Sequence, residues 1–252
     1  MRHAEAVMGT VFSIELRGAE GQVDATDAVG DVVEWLHWVD RTFSTYKGDS
    51  QICRLDRGEL TLDECHPHVQ AVLDQAEALR GATGGYFDVR ASGGLDPSGL
   101  VKGWSIEVAS ARLAGSGWPH HLVDGGGDVR LRRHPGADHP QPWRVALRHP
   151  FDLGSCCAVL EMAEGAVATS GTYERGFHVM DPHRGRAVTD TVALTVVGPD
   201  LAVADAYATA GLAMGLDAPD WLGELDGYEA YLVDAGGGAW ETPGFDRLRA
   251  GA

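Results

Sequence analysis

The chain has 252 residues, 44% of them hydrophobic and 23% charged, a balance that suits a folded domain with a sizeable core and excludes a disordered chain. Its formal charge of −17 at pH 7, with no basic patch, argues against binding along a nucleic-acid backbone, so any phosphorylated ligand would need a metal ion or backbone amides to hold it. Met1 to Leu16 has no apolar signal core and no later stretch approaches 18 uninterrupted apolar residues, so a cytoplasmic protein is expected.

Met8 to Arg17 sets Phe12, Ile14 and Leu16 against Val11, Ser13 and Glu15, the period-2 pattern of a half-buried strand. From Asp24 to Phe43 the residues Val29, Val32, Val33, Leu36, Val39 and Phe43 recur at helical spacing, as do Val69, Val72, Leu73, Ala76 and Leu79, which predicts two amphipathic helices. Gly81 to Gly103 is rich in turn residues and reads as one long loop, with a helix beginning at Lys102 and running to Leu113. Short strands are predicted at 121–123, 129–132, 143–148, 157–161, 166–169 and 192–197, with a long connection at 134–142. The alanine-rich stretch Leu201 to Leu216 predicts a helix, and Glu229 to Val233 a last strand. Strands following helices favour α+β over a doubly wound sheet. The four cysteines, Cys53, Cys65, Cys156 and Cys157, have no CxxC spacing and are expected to be buried free thiols.

Asp205 and Thr209 stand four apart on the alanine-rich helix, projecting a carboxylate and a hydroxyl from one face. These hard oxygens suit Mg²⁺ or Ca²⁺ better than zinc, although an exposed Asp and a Thr bonded back to its own helix would give the same spacing. The loop Leu95-Asp96-Pro97-Ser98-Gly99-Leu100-Val101-Lys102-Gly103 offers glycines for close backbone approach and a lysine, or an ordinary turn with a solvated lysine. Gly125-Gly126-Gly127-Asp128 and Ala168-Thr169-Ser170-Gly171 each place small residues at a strand end, fit either for receiving an anion or for a hairpin turn. His178 is the one histidine singled out as a candidate general base. The pairs His66 with His68 and His120 with His121 lack zinc-site spacing and receive no role. No P-loop, GxGxxG after a strand, or GxSxG elbow is present.

In chain order these segments resemble the ApbE family of FAD:protein FMN transferases. The resemblance rests on Met8-Gly9-Thr10, Thr42 to Lys47 with Ser50 and Ile52, Gly85-Tyr86-Phe87-Asp88, Leu95 to Trp104, Gly126-Gly127-Asp128, Thr169-Ser170-Gly171 with Tyr173, His178 with Asp181-Pro182, Arg184-Gly185, and Ala204-Asp205-Ala206 with Ala208-Thr209. It implies a single domain over residues 1–252 with an α+β, T-fold-like architecture of mostly antiparallel sheets, flanking helices and a ligand cleft between two lobes. It further implies FAD as substrate, Mg²⁺ held by Asp205, Thr209 and the Gly99 carbonyl, and Lys102 near the phosphates. Met8 and Tyr46 would pack against the ligand's rings, with Asp96, Gly127, Asp128, Thr169, Ser170 and Gly171 lining its site and His178 acting as base. The implied reaction moves FMN onto a Thr or Ser hydroxyl of an acceptor protein and releases AMP. A FAD pyrophosphatase giving FMN and AMP, and a flavin-binding protein without turnover, are the alternatives. Where relatives commonly read Asp-Pro-Arg-Thr-Gly, this chain reads Asp181-Pro182-His183-Arg184-Gly185.

Overall fold

The computed structural model describes residues 1–18, 23–133, 141–152, 154–172 and 179–251. The chain opens with an antiparallel hairpin of β1 (Arg2–Val7) and β2 (Thr10–Leu16). Met8 and Gly9 form its two-residue turn with φ of 52° and 71°, the left-handed pair that a turn matched to strand twist requires. The strand expected from Met8 therefore starts at Thr10. Its alternation holds, with Phe12, Ile14 and Leu16 all buried.

Asp24 caps α1 (Ala25–Phe43) by accepting the Thr26 amide at 2.8 Å, and the helix buries Val29, Val32, Leu36, Val39 and Phe43 along one stripe. After the short α2 (Gln51–Asp56), α3 (Pro67–Ala82) buries Val69, Val72, Ala76 and Leu79. Helix α4 spans Ser98–Gly115, so the loop predicted over Gly81 to Gly103 was too long at both ends. Lys102 lies in the second turn of α4 and not at its start. Gly99 and Gly103 read locally as turn formers, but they sit inside the helix because a neighbouring helix packs on them.

Strands β3 (His121–Gly125), β4 (Asp128–Arg132), β5 (Trp143–Arg148), β6 (Cys156–Met162) and β7 (Gly165–Gly171) follow. The two-residue strands β8 (Met180–Asp181) and β9 (Arg186–Ala187) precede β10 (Thr191–Gly198), α5 (Leu201–Met214), α6 (Ala218–Leu222), β11 (Glu229–Asp234) and β12 (Ala239–Glu241). Asp200 caps α5 by accepting the Val203 amide, and Gly215, at φ 65°, ends it two residues before the expected Leu216.

Eight strands form one sheet in the order β1-β2-β3-β4-β7-β10-β11-β12, every neighbouring pair antiparallel. The fold is α+β, as expected. Helices α1, α4 and α5 contribute to the larger apolar core together with Phe12, Ile14, Val123, Leu194 and Val196. On the opposite face the separate β5–β6 hairpin supplies Trp143, Leu147, Leu160 and Met162 to a second cluster with Leu131, Val167, Val197 and Phe245. Strand β10 contributes to both clusters, which is why Thr191 to Val197 reads as an unbroken buried run.

His121 is fully buried between the sheet and α4. Its Nδ1 lies 2.6 Å from the Trp118 carbonyl and its Nε2 2.7 Å from Ser110 Oγ, which in turn accepts from Arg132 Nε at 3.0 Å. A neutral ring carrying its proton on Nδ1 satisfies all three bonds. Burial holds the imidazole's pKa down to about 4. An unfolded histidine titrates near 6.5, so the unfolded chain takes up the proton first as pH falls. The resulting stability is present above pH ~6.5 and declines toward pH ~4, by up to ~3 kcal/mol. Denaturant unfolding of His121→Gln should therefore show a flatter decline across that window than the unaltered chain. Equal slopes would contradict the assignment.

Candidate functional site

Helices α4 and α5 meet at Gly103. A Cβ there would fall 2.5 Å from the Leu201 carbonyl oxygen and 2.9 Å from Asp205 Cβ, so only glycine permits this approach. The contact is tied at a second point by Glu107 on α4, which accepts the Leu201 amide at 2.7 Å and pairs with Arg130 at 2.9 Å. Burial raises the Glu107 carboxyl above its ordinary range, against the pull of Arg130. No local pattern in the sequence announces this role for Glu107, because both its partners are far away along the chain.

At the crossing Asp205 is 3% exposed, and its Oδ2 accepts the Gly103 amide at 3.0 Å. In a regular helix that amide belongs to the Gly99 carbonyl, so the carboxylate competes for the carbonyl's usual donor. One turn further along α5, Thr209 Oγ1 lies 3.2 Å from Ser170 Oγ on β7. A Cβ added to Gly99 would stand 3.3 Å from Thr209 Oγ1, which places the first turn of α4 directly against that hydroxyl. Gly99, Asp205, Thr209 and Ser170 are thus brought together from three elements.

A second buried carboxylate adjoins the first. Asp128, fully buried at the start of β4, accepts the Thr169 amide at 3.0 Å and forms an ion pair with Lys102 from α4. The Thr169 hydroxyl turns the other way, 2.9 Å from Thr195 Oγ1 on β10. Burial, and then the adjacent negative charge of Asp128, push the Asp205 carboxyl well above the usual carboxylate range, with Lys102 opposing. Gly126 and Gly127, at φ 65° and 95°, make the β3–β4 turn, in which the Gly127 amide donates to Asp124 Oδ1 at 2.9 Å. The Gly126 amide reaches the Val11 carbonyl at 3.4 Å, so this turn lies beside the β1–β2 hairpin that carries Met8. Gly171 closes β7 opposite Ala193.

Two predicted residues take other positions. Asp96 accepts the Ser98 amide at 3.0 Å and so serves its own turn ahead of α4. Tyr46, beyond α1, is 94% exposed, with its amide donating to Ser44 Oγ at 3.2 Å. His178 and Tyr173 lie outside the described residues. Downstream, buried Asp181 accepts the amides of His183 at 2.9 Å and Arg184 at 3.0 Å. His183, the residue that departs from the common motif, packs edge-on against Tyr86 at 4.4 Å and hydrogen-bonds the Gly84 carbonyl at 3.0 Å.

The side-chain donors at the crossing are hard oxygens, the Asp205 carboxylate and the Thr209 hydroxyl, with the backbone of Gly99 close by. That set fits Mg²⁺ or Ca²⁺ and not zinc. Among the described residues no group of three or more His, Cys, Asp and Glu side chains is placed to hold a metal. A cation here would therefore rely on a single carboxylate, with the remaining coordination coming from neutral oxygens and from a ligand.

Fold and site together define an antiparallel α+β protein with a partly buried oxygen-donor set where two helices cross. The ApbE family model matches residues 8–93 and 89–232, and the chain belongs to the ApbE family. It is 26% identical to an FAD:protein FMN transferase of Vibrio cholerae serotype O1, over 82% of this chain and 79% of that protein. An FAD:protein FMN transferase of Rhodobacter capsulatus is 34% identical over 50% of this chain but only 25% of its own length. Among solved structures, the ApbE protein of Thermotoga maritima superposes with a TM-score of 0.88 at 19% identity over 99% of both chains. The flavin transferase ApbE of Vibrio cholerae gives 0.83 at 23% identity over 98% of both.

Replacing Gly103 by Ala should force α4 and α5 apart. A lower melting temperature is expected, equivalent to about 1–3 kcal/mol for overpacking at a backbone contact. An unchanged melting temperature would show that the crossing is not held by close approach.

Proposed function

We propose that this chain moves FMN from FAD onto a Thr or Ser hydroxyl of an acceptor protein and releases AMP. The observation that carries the reading is the convergence of Gly99, Asp205 and Thr209 at one helix crossing, in a chain of this family, as a set of hard oxygen donors. Mg²⁺, held by the Asp205 carboxylate, the Thr209 hydroxyl and the Gly99 carbonyl, would neutralise pyrophosphate charge when bound. Such neutralisation matters in a chain of net charge −17.

The acceptor oxygen forms a bond to the FMN phosphorus as the pyrophosphate P–O bond to AMP breaks, and His178 takes the acceptor's proton. Lys102 offers a cation near the phosphates, and the Gly127 turn and Ser170 would lie beside them. Met8 and the exposed Tyr46 provide apolar and aromatic surface for the flavin and adenine rings, while Thr169 and Gly171 shape the surrounding walls. We further propose that residues 1–252 act as one domain and that it works in the cytoplasm. Among the described residues no helix is long and apolar enough to cross a membrane.

Incubation with FAD, Mg²⁺ and candidate acceptors should yield a fluorescent protein adduct heavier by one FMN. Asp205→Ala should lower its rate by at least about 100-fold, and His178→Ala should do so by a similar factor with little change in KM for FAD. Full activity in Asp205→Ala would refute the metal assignment, and free FMN and AMP without an acceptor would point to hydrolysis instead.

A further inference from the structure

Three ionisable side chains meet beneath the proposed cation position: Asp205 and Asp128, both buried, and Lys102, whose side chain is only 28% exposed, with Asp124 at the end of β3 acting electrostatically on Asp128 and Lys102. Two carboxylates this close and this dry do not persist as anions without a neighbouring positive charge. The two backbone amides that bind them, from Gly103 and Thr169, supply partial charge only. Among the described residues Lys102 is the side-chain cation that acts on both acids, and its ammonium is bound to Asp128, the deeper of the two.

Resting on the metal reading above, we infer that Lys102 is a resident counter-ion, stored against Asp128, whose charge stands in for the divalent cation until the metal binds. Asp128 is then a positioning residue. It holds the lysine back from the ligand side and anchors the end of β7 through the Thr169 amide, without itself coordinating the metal. The arrangement sets a competition: each positive charge at the cluster weakens the pull of the acids on another. Binding of the divalent cation makes the lysine's charge redundant at the acids and frees its ammonium for an anionic ligand, so metal should precede or accompany the phosphorylated substrate.

The competition can be measured without turnover, by titrating the flavin-free protein with Mn²⁺ and following bound metal by electron paramagnetic resonance. Lys102→Met, which keeps the apolar stem and removes the charge, should bind Mn²⁺ at least about tenfold more tightly. Lys102→Arg, which keeps the charge, should stay close to the unaltered chain. Equal or weaker Mn²⁺ binding by Lys102→Met would overturn the inference. If Lys102→Met does not fold without metal, folding induced by Mn²⁺ supports the inference, and indifference to Mn²⁺ overturns it. Asp205→Ala distinguishes the metal assignment from the counter-ion role of Lys102. If it binds Mn²⁺ as well as the unaltered chain, the metal assignment itself fails; if it loses Mn²⁺ while Lys102→Met gains nothing, only the counter-ion role fails.

Discussion

The site depends on how closely two helices can approach each other. At Gly103 the missing side chain lets α4 sit directly on the Leu201 carbonyl, and the same contact brings a backbone amide to the Asp205 carboxylate. The alanines of α5 extend this closeness: Ala202, Ala204, Ala206, Ala208 and Ala210 are all buried, and only Val203, Tyr207 and Thr209 are half-buried, so protein covers most of the helix surface. A helix covered over most of its surface has a weak amphipathic stripe to orient it, and its rotation is set by polar ties. The Glu107 bond to the Leu201 amide, the Gly103 bond to Asp205 and the Thr209–Ser170 contact fix that rotation at three successive turns.

These ties also concentrate charge. A chain with 37 acidic and 20 basic residues repels a polyanionic ligand at long range, yet it places two of those acids, Asp128 and Asp205, side by side in a dry interior. Such groups are costly for folding alone, since a well-packed apolar pair of similar volume is often as stable or more so. Their presence side by side is better understood as a local demand for positive charge, met in this structure by Lys102. On the proposed function, that demand would favour a divalent cation, which in turn would offset the repulsion between an acidic chain and a pyrophosphate.

How much of this was legible in the sequence follows from where each signal originates. Strand β2 and helices α1 and α3 each bury one face, so their periodicities predicted them well. The start of α4 was missed because Pro97, Gly99 and Gly103 carry strong local turn signals. Their true cause, the packing of a helix some hundred positions later, is not local. Asp205 and Thr209 had the spacing of a cation pair or of a solvated face; the burial of Asp205 and its long-range neighbours Gly103 and Asp128 exclude the solvated face. Asp96 shows the reverse case, a motif residue whose side chain is occupied by its own turn.

The β1–β2 turn illustrates what packing alone leaves unexplained. Its geometry asks for positive φ at both positions, where asparagine or glycine would rest with little strain, yet the first is Met8, the one non-glycine residue with positive φ among the described residues. Placing a long unbranched side chain there costs on the order of 1 kcal/mol or more, and such strain persists only where the surroundings enforce it. Met8 does pack against the larger core, but it remains partly exposed, on a hairpin that touches the Gly126–Gly127 turn through the Val11 carbonyl. Core burial could be had from a residue on the strand itself without the left-handed backbone. A ring-bearing ligand seated beside that turn gives the thioether a second partner, and with it a reason for methionine at a position the turn itself would assign to asparagine.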